Sequence, residues 1–330
     1  DWSVMNTSAG KCLQPQEFLA GRLGKDGVDH LPPNMIGANE RIKRWNQKSV
    51  VPRSIMVGDI LNIAGYRFVD IPDRDELRPP FRDICAKLNL KGTILLSHEG
   101  INFFLAGPQQ AIDSFIQYLD QDQRFKDLTI KISYTDYQPF NRMNVRLKKE
   151  IISIGLDHIK PAEFTGEEIT PSEFKNWLDE GKEVLVLDTR NDYECRIGTF
   201  ENALELDIKS FRDFPRAVGE MSDDLKDTPV VMFCTGGIRC EKASVVMLDA
   251  GFSNVKQLKG GILGYFEEVG GDYWNGDCFV FDHRVAVNPE LDETEVAQCF
   301  ACRNPLLVKD QQSEHYEVGV SCPYCIDRVN

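Results

Sequence analysis

From Ile55 to Leu156 the apolar positions switch between the two-residue spacing of strands and the three-to-four spacing of helices. Gly58 to Ile63 reads as a strand, Pro80 to Leu88 as an amphipathic helix opened by proline, and Gly92 to Leu96 as a second strand. His98-Glu99-Gly100-Ile101-Asn102 turns the chain, and Phe103 to Ala106 returns it. Gln109 to Leu119 places Ile112, Phe115, Ile116 and Leu119 on one helical face. Leu128 to Tyr134 predicts a further strand, and Val145 to Ile154 an added edge. The order β-α-β-β-α-β is that of a ferredoxin-like domain, and nothing in it requires catalysis.

A second unit opens near Thr165. Thr170 is a good helix N-cap, with Pro171 at the first position and Glu173 closing a capping box. Val184 to Leu187, Val230 to Phe233 and Val255 to Leu258 are short continuous apolar runs, as expected of strands buried on both faces. The helix Cys240 to Ala250, ended by Gly251, lies between the last two. Strands alternating with helices predict a parallel α/β sheet. Residues 1 to about 53 show weak periodicity and read as an extension, and no internal repeat is evident.

A chain of 330 residues favours two or three cores over one. An apolar share of 42% with 27% charged residues is ordinary for a soluble globular protein. No apolar run reaches the roughly 18 to 20 residues that span a bilayer, and the first residues lack a secretory signal pattern. The expectation is a soluble cytoplasmic protein without a membrane partner; an organellar location is the alternative if the N-terminus is a processed extension. Net charge of −14 argues against indiscriminate nucleic-acid binding. Basic residues nevertheless cluster at Arg41, Lys43, Arg44, Lys48 and Arg53, and again at Arg142, Arg146, Lys148 and Lys149. Either cluster is a candidate RNA contact or plain solvated surface.

The segment Val230-Val231-Met232-Phe233-Cys234-Thr235-Gly236-Gly237-Ile238-Arg239-Cys240 carries the candidate chemistry. An apolar strand delivers Cys234 to the carboxyl edge of a parallel sheet, where α/β proteins bind ligands. Thr235, Gly236, Gly237 and Ile238 form a short loop whose amides are expected to turn inward as an anion cradle. A helix start and the charge of Arg239 add to the cradle. All of these favour thiolate over thiol and predict a depressed pKa for Cys234. Cys240 either resolves an oxidised Cys234 as a disulfide or simply packs in the first helical turn.

This loop resembles that of the rhodanese family, over roughly Thr165 to Gly271. The Cys-x4-Arg spacing of Cys234 and Arg239 matches, as do Asp188-Thr189-Arg190 with the following Glu194, and Leu258-Lys259-Gly260-Gly261-Ile262. Where the family often carries Gly-His-Ile, Gly198-Thr199-Phe200 stands here. Related phosphatases carry one more loop residue, so the tighter loop suits the terminal sulfur of a persulfide rather than phosphate. Asp188 and Arg190 are expected to tie the strand end to the loop. Combined with Leu96-Ser97-His98-Glu99-Gly100-Ile101-Asn102 and Phe279-Val280-Phe281-Asp282-His283-Arg284, the chain from Ile55 onward resembles the tRNA uridine hydroxylase family. That resemblance implies oxygen-dependent conversion of a wobble uridine to 5-hydroxyuridine through the loop cysteine, with the anticodon region of tRNA as partner. The alternative is a sulfurtransferase that moves sulfur from thiosulfate or a persulfide donor through Cys234. No motif for a flavin or a nicotinamide is present, no clustered two-His-one-carboxylate iron set is evident, and no stable protein partner is indicated.

Of ten cysteines, four form two C-x-x-C pairs at the end of the chain: Cys299 with Cys302, and Cys322 with Cys325. Four thiolates at this spacing predict a closed, structural zinc site, with two disulfides as the alternative. The expected fold class is therefore mixed α/β and α+β. An extension (1–53) precedes a ferredoxin-like, acylphosphatase-like domain (54–160), a rhodanese parallel-sheet domain (165–275) and a C-terminal segment with a four-cysteine zinc module (276–330).

Overall fold

The computed structural model describes residues 60–328. The extension, its basic cluster from Arg41 to Arg53 and the start of the first expected strand lie outside the described residues. The first domain runs β1 (Ile60–Phe68), α1 (Arg74–Lys87), β2 (Lys91–Ser97), β3 (Gly100–Gly107), α2 (Gln109–Asp120), β4 (Ile130–Thr135) and β5 (Met143–Leu147). Its sheet has the order β4-β1-β3-β2-β5, with the first four strands antiparallel and β5 added parallel to β2. This is the expected ferredoxin-like arrangement.

Alternation along β1 divides its two faces. Leu61 and Ile63 enter a core with Ile94, Phe103, Phe115 and Ile132. Asn62, Ala64, Tyr66 and Phe68 face the other way, towards the second domain.

Three boundaries differ from the sequence expectation. Helix α1 begins at Arg74, so Pro79 and Pro80 are interior rather than opening. Both prolines are exposed, so the carbonyls they leave unbonded face water, while Leu77, Phe81, Ile84 and Cys85 pack inward; burial outweighs the lost bonds. The expected five-residue turn is only His98-Glu99, because Ser97 already pairs with Gly100 and Asn102 lies within β3. The edge strand stops at Leu147, after which the Lys148 amide donates to the Leu96 carbonyl at 2.8 Å and the chain leaves the sheet.

The second domain contains β6 (Glu167–Ile169), α3 (Pro171–Asp179), β7 (Leu185–Asp188), α4 (Asp192–Cys195), β8 (Gly198–Phe200), β9 (Leu204–Glu205), α5 (Phe214–Gly219), β10 (Val230–Phe233), α6 (Ile238–Asp249), β11 (Val255–Leu258) and α7 (Gly261–Glu268). Strands β6-β11-β10-β7-β9 form one sheet, parallel throughout. Thr170 caps α3, its hydroxyl accepting from the Glu173 amide at 3.2 Å. Helix α6 starts at Ile238, two residues before the sequence expectation, which draws Arg239 into its first turn.

After α7 the chain forms β12 (Trp274–Gly276), a hairpin of β13 (Cys278–Phe279) and β14 (Ala286–Val287), then β15 (Ala297–Gln298), β16 (Pro305–Leu306) and α8 (Val308–Gln311). Among the described residues no helix is long and apolar enough to cross a membrane.

Candidate active site and metal centre

Strand β10 is wholly buried and leads directly into Cys234, whose side chain is also buried. Gly237 takes a left-handed backbone (φ +99°) as N-cap of α6, and its amide donates to Cys234 Sγ at 3.1 Å. A Cβ at that position would sit 3.0 Å from the Tyr66 hydroxyl, so both backbone sign and close approach call for glycine. Gly261 closes the loop from behind: its φ is +62°, and a Cβ there would overlap the Cys234 carbonyl. Gly236 is not under either constraint.

Burial alone pushes the Cys234 thiol up. A hydrogen bond from the Cys240 thiol, the Arg239 charge and the amides of Arg239 and Gly237 overcome this and bring it down to about 5. Cys240, buried and beside that negative sulfur, moves the opposite way and stays protonated. Its sulfur lies 3.8 Å from the Thr189 hydroxyl. The loop thus holds one thiolate and one thiol in contact.

Arg239 does not stand free beside the sulfur. Its guanidinium forms two bonds of 2.6 and 2.8 Å to Glu194, and both side chains are almost fully buried. Asp188 and Arg190 make a second buried pair at 2.6 Å. They join β7 to β8, since Arg190 also donates to the Gly198 carbonyl and Asp188 accepts from Thr199, which occupies the place of the family's histidine. The link from β7 to the loop strand comes from Thr189, whose amide and hydroxyl both reach the Phe233 carbonyl. The Arg190 guanidinium also lies over the Phe233 and Trp274 rings.

The first domain and the C-terminal hairpin cover this loop. The Tyr66 hydroxyl bonds Glu241 at 3.2 Å, and Lys242, fully buried, pairs with Glu99 and Glu150 at 2.8 Å each. Lys131 pairs with Glu267 at 2.8 Å across the same boundary. Phe281 lies over Arg239, and Arg284 bonds both Asp282 and Ser133. In the sequence, Glu99, Glu194 and Phe281 to Arg284 stand out only as motif letters, and Tyr66 not at all. Their roles depend on contacts between distant segments, for which no local pattern exists.

Arg142, Arg146, Lys148 and Lys149 lie on or beside β5, at the far edge of the sheet from β4. Lys149 pairs with Asp157 at 2.8 Å. Arg74 and Arg78 of α1 reach the backbone of this edge at Lys148 and Val145, so the fold enlarges the basic strip with residues that the sequence left scattered.

Cys299, Cys302, Cys322 and Cys325 converge with all four sulfurs within 4.8 Å of one another. They are free thiols, not the alternative pair of disulfides. The Cys302–Cys322 and Cys322–Cys325 sulfur separations are 3.6 and 3.7 Å, close to the edge of about 3.8 Å of a tetrahedron with metal–sulfur bonds of about 2.3 Å. The Asn304 side chain and the Cys322 amide donate to Cys302 and Cys325 sulfurs, as suits thiolate ligands. The donor set fits a metal ion.

Comparison with known proteins agrees with both domains. The family model described as UPF0176 acylphosphatase like domain matches residues 60–151, and the rhodanese-like domain model matches residues 170–268. Similar curated proteins, each named tRNA uridine(34) hydroxylase, include one from Cupriavidus necator, 53% identical over 81% of this chain and 96% of its own length. Those from Cupriavidus taiwanensis and Ralstonia nicotianae are 52% and 50% identical, over 81% of this chain and 96% and 97% of their own lengths.

Proposed function

This chain belongs to the tRNA uridine(34) hydroxylase family, and on that premise we propose that it converts uridine 34 of tRNA to 5-hydroxyuridine with molecular oxygen, through the thiolate of Cys234. The observation that carries the reading is the loop itself, which holds a negative sulfur at 3.1 Å from the Gly237 amide with the protonated Cys240 thiol beside it. Exchanging C5–H for C5–OH with one atom of O2 sends the other atom to water and consumes two electrons. Cys234 and Cys240, closing to a disulfide, release two. An external thiol then reopens the pair.

Zinc is the metal that best suits the four terminal thiols, and its place is structural because four protein ligands close the coordination sphere. A tRNA approaches along the β5 edge, where Arg142, Arg146, Lys148 and Lys149 supply phosphate contacts together with Arg78 and Arg82 of α1, which line one surface hollow with Leu147 of β5. A cytoplasmic setting suits both the free thiols and the substrate.

Incubation of the purified protein with unmodified tRNA under labelled O2, followed by nucleoside mass spectrometry, tests this. One heavy oxygen in 5-hydroxyuridine is expected. The tight loop also favours the second reading, sulfur transfer through a Cys234 persulfide. Rapid thiocyanate formation from thiosulfate and cyanide, with no oxidised uridine, would select that reading and reject the first.

A further inference from the structure

Beside the Cys234 loop, the outward face of the first domain's sheet leaves a cavity. Its walls are Asn62 and Ala64 of β1, Phe104 of β3, Ser133 of β4, Thr235 of the loop and Phe281 of the hairpin tip. The space open to a water's centre is about 50 Å3, room for roughly three or four waters, within a total free space of about 580 Å3 that opens to solvent.

Asn62 is almost fully buried, and its Oδ1 has no hydrogen-bond partner. The orientation of its amide follows from its neighbours. The Thr135 hydroxyl donates to the Tyr137 carbonyl at 2.7 Å, so it can only accept from Asn62, through Nδ2 at 3.1 Å. The orphan atom is therefore an acceptor, and a buried acceptor without a donor destabilises the protein until something supplies one. Ser133 is the direct cross-strand neighbour of Asn62, so the two side chains stand about 5 Å apart on one face. Its oxygen accepts from Arg284 at 2.8 Å, which leaves its own hydrogen to donate. Phe104 and Phe281, with ring centroids 6.1 Å apart, wall the space with aromatic faces on which a base can stack.

Resting on the hydroxylase reading above, we propose that this cavity is the uracil-binding site, in which Asn62 Oδ1 accepts from N3–H, Ser133 donates to an adjacent carbonyl oxygen and Phe281 stacks on the ring. An acceptor beside a donor matches the N3–H and carbonyl edge of uracil. With Ser133 on O4, cytosine presents an acceptor at N3 and a donating amino group in place of O4, so the Asn62 Oδ1 contact becomes repulsive and the Ser133 hydroxyl loses its acceptor. The site therefore selects uracil over cytosine by polarity as well as by shape. Thr235 forms part of the wall and Phe281 also covers Arg239, which puts the cavity next to the thiolate loop.

The test uses the full protein and a tRNA with uridine, cytidine or N3-methyluridine at position 34. Asn62→Ala and Ser133→Ala are each expected to lower kcat/KM about tenfold or more. The tRNA dissociation constant stays within about twofold, because phosphate contacts dominate it. N3-methylation removes the donated proton and cuts wild-type turnover, but adds no loss to Asn62→Ala. Phe281→Ala, at a side chain 46% exposed and so tolerant of truncation, raises KM. Folded Ser133→Ala and Phe281→Ala proteins with wild-type kcat/KM overturn the site, even if Asn62→Ala fails to fold. Wild-type protein that oxidises no uridine at all overturns the hydroxylase reading instead.

Discussion

Cys234 sits where two opposing effects meet. Burial disfavours a charged sulfur, and the Cys240 thiol, the Arg239 charge and two amides favour it more strongly. With a pKa of about 5, the thiolate forms as pH rises through about 5 and is complete by neutrality, whereas an ordinary thiol ionises at about 8.5. The difference in ultraviolet thiolate absorbance between wild type and Cys234→Ser should therefore rise between about pH 4 and 6 and stay flat to pH 8; a rise centred above pH 8 would show an ordinary thiol. Arg239→Met leaves Glu194 buried without its partner, and is expected to destabilise by about 3–5 kcal/mol in urea unfolding and to move the thiolate step to higher pH. Arg239→Lys keeps the charge but loses the fork, so it should fall between the two.

At the scale of elements, β10, its loop and α6 were legible because strand, glycine turn and helix follow one another directly in the sequence. The same locality made the paired C-x-x-C motifs readable. Helix α1 begins before the sequence expectation because Pro79 and Pro80 read as a start signal, while the stripe Leu77, Phe81, Ile84 and Cys85, at helical spacing across them, outweighs that signal once it is buried. Glu194 lies 45 residues from Arg239, and Tyr66 lies 175 from Glu241; such pairs have no spacing to read. Two elements carry predictions. Cys299→Ser should lower bound zinc and unfold the β15–β16 region first, seen as amide exchange confined to the C-terminal segment, while a protein that binds no zinc at all would remove the metal assignment. Lys148→Ala and Arg82→Ala together should weaken tRNA binding and reduce its log–log salt slope by up to about two, since each lost phosphate contact removes about 0.9; an unchanged slope would place the tRNA elsewhere.

Across the whole molecule, the rhodanese-like domain does not present its loop to solvent. The first domain's sheet and the C-terminal hairpin cover it, joined by the buried Lys242–Glu99–Glu150 cluster and by Tyr66, Lys131 and Arg284. A small-molecule sulfurtransferase has no need of such a cover, whereas a macromolecular substrate that inserts one base uses a cavity walled by both domains. Cys234 is fully buried, so reaching the sulfur requires part of this cover to move, and Tyr66, packed against Gly237 of the loop, belongs to it. Tyr66→Ala should therefore speed the reaction of Cys234 with a bulky thiol reagent under conditions where urea unfolding shows the variant to be folded, and an unchanged rate would mean that access runs by another path.

One measurement bears on all three scales: nucleoside mass spectrometry of tRNA from cells that lack this protein, complemented with wild type or with Cys234→Ser. The thiolate account predicts 5-hydroxyuridine derivatives with the wild type and none with the variant, at equal amounts of folded protein. Full modification by Cys234→Ser would contradict it.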